Sequence, residues 1–251
     1  MGLFAKIIDL LFPPTCAVCD SAVSDSGNIC DDCRQKFIRE CFEHCKICEK
    51  PASSCICNTH FTNITKYTVG GRKSISLTFY LSEREYGKET GRVTEKMIYA
   101  LKERGIFADL FADELARAIR NAFASSGEKI EDWIITYPPR STKNFYKYGI
   151  DQCEELSNRL GRRLGCKTKK TFIRGGRSTE QKTLSPDGRR ENAESSLIPI
   201  RRNISDGGKY FIVDDIITTG ATVETAAKML YSCGAAAVFP ISIARDMPSG
   251  K

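Results

Sequence analysis

Residues 209–223 read KYFIVDDIITTGATV. The apolar run Tyr210-Phe211-Ile212-Val213 predicts a buried strand. It ends in two adjacent carboxylates, Asp214 and Asp215. Ile216 and Ile217 lead on to Thr218-Thr219-Gly220-Ala221-Thr222, where a helical pattern begins. A strand, an acidic tip, a hydroxyl-rich loop and a helix start are the parts needed to hold a sugar phosphate. The carboxylates can accept hydrogen bonds from vicinal ribose hydroxyls. The loop can offer amides and hydroxyls to a phosphate, and the helix start adds partial positive charge. Gly220 lets the backbone come close to the anion. Each of these residues is also ordinary in a plain strand–turn–helix joint; their order favours the sugar phosphate.

Outward from this stretch, strand and helix patterns alternate. Ser76–Leu81 predicts a strand, Gly91–Arg104 and Phe107–Phe123 helices, Trp133–Thr136 a short buried strand, and Asp151–Leu164 a third helix. Thr222–Ser232 then predicts a helix and Ala236–Ile243 a last strand. Such alternation implies an α/β fold with a mostly parallel sheet flanked by helices. Ligands of such sheets bind beyond the carboxyl ends of the strands, where Asp214 and Asp215 fall. The length of 251 residues accommodates this domain over 70–251 and a small module over 1–65.

The front module is cysteine-rich. Of 12 cysteines, nine lie between Cys16 and Cys57. With thiols kept reduced, metal explains them better than disulfides. Cys16-x2-Cys19 and Cys30-x2-Cys33 form two paired knuckles, suited to one tetrahedral zinc. Cys45-x2-Cys48 and Cys55-x-Cys57 form a second group with a less usual gap. One ion per group is the preferred arrangement, interleaved pairing the alternative; Cys41, His44 and His60 are substitute ligands. A segment this polar cannot bury much apolar surface, so zinc, one ion or two, is expected to be structural.

Net charge is +7, from 38 basic and 31 acidic residues, which suits phosphorylated metabolites or nucleic acid. Arg140–Lys147, after the strand at Trp133–Thr136, reads as a Pro-flanked turn whose Arg140 and Lys143 could face a pyrophosphate. Arg174–Asn192 reads as a long polar loop, a lid carrying Lys182, Arg189 and Arg190 or a contact for a nucleic-acid backbone. No apolar run is long enough to cross a bilayer. Residues 1–14, MGLFAKIIDLLFPP, predict a short amphipathic helix without the features of a signal peptide. A cytoplasmic location is expected.

Residues 210–222 resemble the phosphoribosyl-pyrophosphate (PRPP) motif of type I phosphoribosyltransferases. Further segments resemble the ComF family of competence-associated, phosphoribosyltransferase-like proteins. These are LLFPPTCAVC at residues 10–19, Cys45-Lys-Ile-Cys48-Glu-Lys-Pro51, Leu101-Lys102-Glu103-Arg104-Gly105, Gly149-Ile150-Asp151-Gln152, and Gln181-x2-Leu184-x4-Arg189-x2-Asn192. The resemblance departs at Tyr137-Pro138-Pro139, where the family has Pro-x-Pro, and at Tyr148, where it has Arg. It implies a type I phosphoribosyltransferase fold and PRPP bound with magnesium. The ribose would lie at Asp214 and Asp215, which would carry the catalysis. The 5-phosphate would lie on Thr218, Thr219, Gly220, Ala221 and Thr222, and Arg140 and Lys182 would serve the pyrophosphate side. The expected activity is phosphoribosyl transfer to an acceptor that the sequence does not name. The rival role is binding of single-stranded DNA by the zinc module and basic loops, alongside a competence or DNA-processing protein.

Overall fold

The computed structural model describes residues 14–23, 28–57, 66–81, 92–175 and 197–248. Residues 1–13 of the stretch read as an N-terminal helix and 176–192 of the one read as a lid, with Lys182, Arg189, Arg190 and His60, lie outside the described residues, while Arg174, read as the start of the lid, ends a strand.

Five strands form one sheet in the order β1-β7-β6-β2-β3. They are β1 (Ile75–Tyr80), β2 (Trp133–Thr136), β3 (Lys167–Thr168), β6 (Lys209–Ile217) and β7 (Ala237–Asp246). Every pairing in it is parallel. A separate antiparallel pair joins β4 (Phe172–Arg174) to β5 (Leu197–Pro199). From β2 the chain moves outward to β3, whereas from β6 it moves the opposite way to β7. The crevice of such a sheet opens where the direction reverses, between β2 and β6.

The period-2 alternation of β6 divides the core. Phe211 and Val213 join Trp133, Phe239 and Ile241 under α2 (Val93–Arg104), α3 (Ala108–Phe123) and α5 (Gln152–Leu164). Tyr210 and Ile212 join Val238 and the apolar face of α6 (Ala221–Ser232) on the other side, with Phe172 and Leu197 from the antiparallel pair. Trp133 stacks on Phe211 at 4.4 Å and 14°, and Phe123 meets both rings edge-on at 5.5 Å. Such aromatic pairs add stabilisation beyond the area they bury.

Two expectations change. Arg140–Lys147 is not an irregular turn: Thr142–Tyr148 forms α4, because Ser141 caps it by accepting from the Asn144 amide and Gly149 ends it at φ 74°. The acids do not sit at a strand tip either. The ladder between β6 and β7 continues past them to Ile217 opposite Arg245, so both lie within the strand.

The cysteine-rich segment docks on this body through α1 (Asp31–Cys41), whose Phe37 packs edge-on against Phe111 at 5.8 Å. Helix α2 has no side-chain cap of its own. Glu40 of α1 supplies one, accepting from the amides of Val93 at 2.8 Å and Thr94 at 2.9 Å. Glu43 grips Arg92, the residue just before α2, with both carboxylate oxygens, at 3.0 and 2.7 Å.

Candidate functional site

The two knuckles repeat each other atom for atom. Cys16 donates its amide to Ser21 O at 2.8 Å, and Cys45 does the same to Lys50 O at 2.9 Å. Asp20 donates to Cys16 O, and Glu49 to Cys45 O; both take positive φ, 61° and 52°. Thr15–Ala22 and His44–Pro51 are matching antiparallel bridges. These tight turns aim sulfurs inward, and the Ile47 amide approaches Cys45 Sγ at 3.4 Å.

Cys16, Cys19, Cys30 and Cys33 form one group, and Cys45, Cys48, Cys55 and Cys57 another. Within each, all four sulfurs lie within 4.8 Å of one another. Zinc–sulfur bonds of about 2.3 Å fit inside such spacings. Eight predicted ligands thus form two tetrads without interleaving. Cys41 and His44 lie outside both. A hydrogen bond with Ser21 lowers the Cys19 thiol to about 6. Burial opposes ionisation of Cys48, but hydrogen bonds with the Ile56 backbone and Cys55 lower it to about 6. Each tetrad therefore contains a thiol readily ionised at neutral pH, as metal capture requires. Four soft sulfurs leave no open position, so zinc here is structural.

At the carboxyl end of β6, Asp215 is buried. Its Oδ2 accepts from Gln152 Nε2 at 2.7 Å and faces Lys102 Nζ at 3.3 Å. Asp214 is partly buried. Its Oδ1 accepts from the Asp215 amide at 2.9 Å and lies 3.7 Å from Cys153 Sγ. Burial, and then the Asp215 charge, push Asp214 up to about 7. Burial likewise raises the Cys153 thiol, with Asp214 adding to it. Asp151 caps α5 at the amides of Cys153 and Glu154 and takes the Arg140 amide at 2.6 Å. The cap thereby ties the β2 loop to the start of α5.

Thr218 and Thr219 are exposed, and Gly220 caps α6 at φ 77°. A side chain there would be strained. The Ala221 amide reaches Thr219 Oγ1 at a long 3.4 Å. Among the described residues, no protein acceptor takes the amides of Gly220, Thr222 or Val223. These are the open donors of a helix start.

Arg140 is more constrained than its sequence position suggests. Its Nη1 donates to Lys102 O at 2.6 Å and Ile150 O at 3.2 Å, and its guanidinium lies 4.4 Å from the Tyr148 ring centre. Tyr148 holds this cation where the family pattern places an arginine. Lys102, Gln152 and Cys153 were not singled out as site residues. The segments Leu101–Gly105 and Gly149–Gln152 were the available signal, and they meet here around Asp215.

Residues 7–60 match the family model described as a double zinc ribbon domain. A DNA utilization protein YhgH from Salmonella typhimurium is 30% identical over 148 residues, covering 57% of this chain and 63% of that protein. Competence protein F from Haemophilus influenzae is 28% identical over 119 residues, covering 47% of this chain and 52% of that protein. The resemblance to the ComF family holds in these relatives. The chain spans less than two thirds of their length. Among solved structures, a glutamine phosphoribosylpyrophosphate amidotransferase from B. subtilis has 19% identity and a TM-score of 0.35, covering 53% of this chain and 25% of its own. A Trypanosoma cruzi hypoxanthine phosphoribosyl transferase has 12% identity and a TM-score of 0.36, covering 57% and 69%. No helix among the described residues is long and apolar enough to cross a membrane.

Proposed function

We propose that the crevice between β2 and β6 binds PRPP and transfers its phosphoribosyl group to a nitrogen nucleophile, in a role tied to DNA uptake or nucleotide metabolism. The observation that carries this reading is the acid pair on the central strand, followed directly by a loop whose amides are open at a helix start. The ribose hydroxyls donate to Asp214 and Asp215. The 5-phosphate takes the amides of Gly220, Thr222 and Val223 and the hydroxyls of Thr218, Thr219 and Thr222.

On the pyrophosphate side the reading keeps Arg140 and Lys182 and adds Lys102. The Lys102 ammonium, 3.3 Å from Asp215, balances that carboxylate without substrate and can turn to an incoming phosphate. Gln152 fixes Asp215 from the other side. Magnesium bound with the substrate would rest on pyrophosphate, ribose oxygens and water, with the hard carboxylate oxygens nearby, and would neutralise charge on the leaving group. The protein's own contribution is electrostatic: fixed donors on the phosphates and carboxylates facing a sugar that gains positive charge.

The test is a thermal melt with PRPP and magnesium, which should raise the midpoint. The double variant D214N/D215N should abolish the rise. A rise that survives it refutes the ribose assignment, and no rise at millimolar ligand refutes PRPP binding.

A second reading, single-stranded DNA binding, has its own observation. Tyr99 of α2 and Phe145 and Tyr146 of α4 are exposed, and on α4 the Lys147 ammonium lies 4.6 Å from the Tyr148 ring centre. Exposed rings next to cations suit stacked bases. Its test is binding to labelled single-stranded DNA with a steep salt dependence, lost in Y146A/F145A.

A further inference from the structure

Arg245 is a buried cation with no counter-charge among the described residues. It sits near the carboxyl end of β7, opposite Phe79 of β1 and Ile217 of β6, and is 3% exposed. Its Nη1 donates to Cys57 O at 3.3 Å, and its guanidinium lies 5.6 Å from the Phe79 ring centre. Nε and Nη2 are buried and have no hydrogen-bond partner among the described residues. Among the described residues no carboxylate forms an ion pair with it. An unpaired buried guanidinium is strongly destabilising, so such groups find compensation in the folded state.

A candidate in contact with it is the second cysteine tetrad, through Cys57. Cys45 and Cys55 are buried with Phe79 in one small cluster, against which Cys48, Cys57 and Met247 pack. Arg245 holds the carbonyl of one ligand residue, Cys57, and its guanidinium faces the Phe79 ring that packs among the tetrad's buried cysteines. Four thiolates around one Zn2+ carry a net charge of minus two. Such a charge complements a guanidinium, whose N–H groups can donate to thiolate sulfur. Among the described residues the first tetrad has no such arrangement: the ammonium of Lys96 reaches Val18 O at 3.5 Å but belongs to an exposed side chain.

We infer that Arg245 is the counter-cation of the second zinc site, so this site is completed by the last strand of the sheet rather than by the cysteine-rich segment alone. The inference rests on zinc in that tetrad and is independent of the PRPP reading. It makes the two zinc ions unequal in what they require: the first needs its own four cysteines, the second also needs β7 in place.

The experiment compares full-length wild type, R245M, R245Q and R245K. Zinc release to a colorimetric chelator is followed under reducing conditions, with alkylation of the freed cysteines mapped by mass spectrometry. Outer-shell changes weaken metal affinity about 10- to 100-fold. R245M and R245Q should accordingly release one of two zinc ions at least about tenfold faster, with alkylation at Cys45, Cys48, Cys55 and Cys57 and protection kept at Cys16, Cys19, Cys30 and Cys33. R245K, which keeps the charge but loses the fork, should fall between them and wild type. If R245M does not accumulate as folded protein, R245Q and R245K carry the same comparison. Unchanged release in the neutral variants overturns the inference. So does equal loss of both ions, which would mark Arg245 as a general packing residue, and so does an R245K indistinguishable from R245Q.

Discussion

Replacing Asp214 with asparagine should stabilise the ligand-free protein, with a gain that depends on pH. Burial, and next the charge of Asp215, raise this carboxyl from its ordinary 3.8 to about 7. A folded pKa above the unfolded one means that ionisation opposes folding. The Asp214 contribution is therefore most favourable below 3.8, erodes as pH rises from 3.8 to about 7, and is constant above. At about 1.4 kcal/mol per pKa step, the loss has an upper bound of about 4 kcal/mol. Asp214 keeps an edge to solvent, and Lys102 is close enough to relieve part of the repulsion. The expected gain in D214N is accordingly about 2 kcal/mol at about pH 8, shrinking towards about pH 4. Urea melts of both proteins across that range, without ligand, measure it. A gain of equal size at both ends, or a destabilisation that deepens with pH, would show that the acid pair is not under strain. The same variant should lose its response to PRPP, since an asparagine cannot offer a second acceptor oxygen to the ribose. Binding sites often carry such a cost in stability.

Other consequences are as direct. E40A should cost about 1–2 kcal/mol by leaving the Val93 and Thr94 amides uncapped, read as a lower urea midpoint, whereas E40Q should recover much of it. G161A should destabilise by about 1–3 kcal/mol, because a methyl group there would lie 2.4 Å from Thr168 Oγ1 and 3.0 Å from Cys166 O; a melt no lower than wild type would mean that β3 yields easily. Elemental analysis of reduced protein should give two zinc per chain. Chelation should expose Phe37 and loosen α1 from α3, seen as faster amide exchange in both. W133A should cost about 3–5 kcal/mol in a denaturant melt, since it removes a ring stacked on Phe211 and met edge-on by Phe123.

Features governed by local spacing were legible in the sequence. The knuckle cysteines announce their tetrads because a tight turn fixes where two sulfurs point, and β6 announces itself by an unbroken apolar run. Its length did not, because the ladder through Asp214 and Asp215 depends on β7 lying alongside, which no local pattern encodes. Helix α4 went unread because its cap, Ser141, and its stop, Gly149, bracket only seven residues among prolines and lysines. The ring of Lys102, Gln152 and Cys153 around the acids was invisible for a different reason. These side chains come from two helices far apart in sequence and meet only once both are laid on one face of the sheet.

Among the described residues, strand β1 has one neighbour in the sheet, and that neighbour is β7, whose paired residues lie 166 positions further along the chain. Until synthesis passes Asp246, the six residues of β1 lack the strand that pairs with them among the described residues. The beginning of the domain must therefore wait for its end. Folding is governed by a contact of very long loop, which is slow to form. Any truncation that removes β7 would strip β1 of this partner and bare one edge of β6, which keeps β2 on its other side, leaving chain edges open to pairing with other molecules.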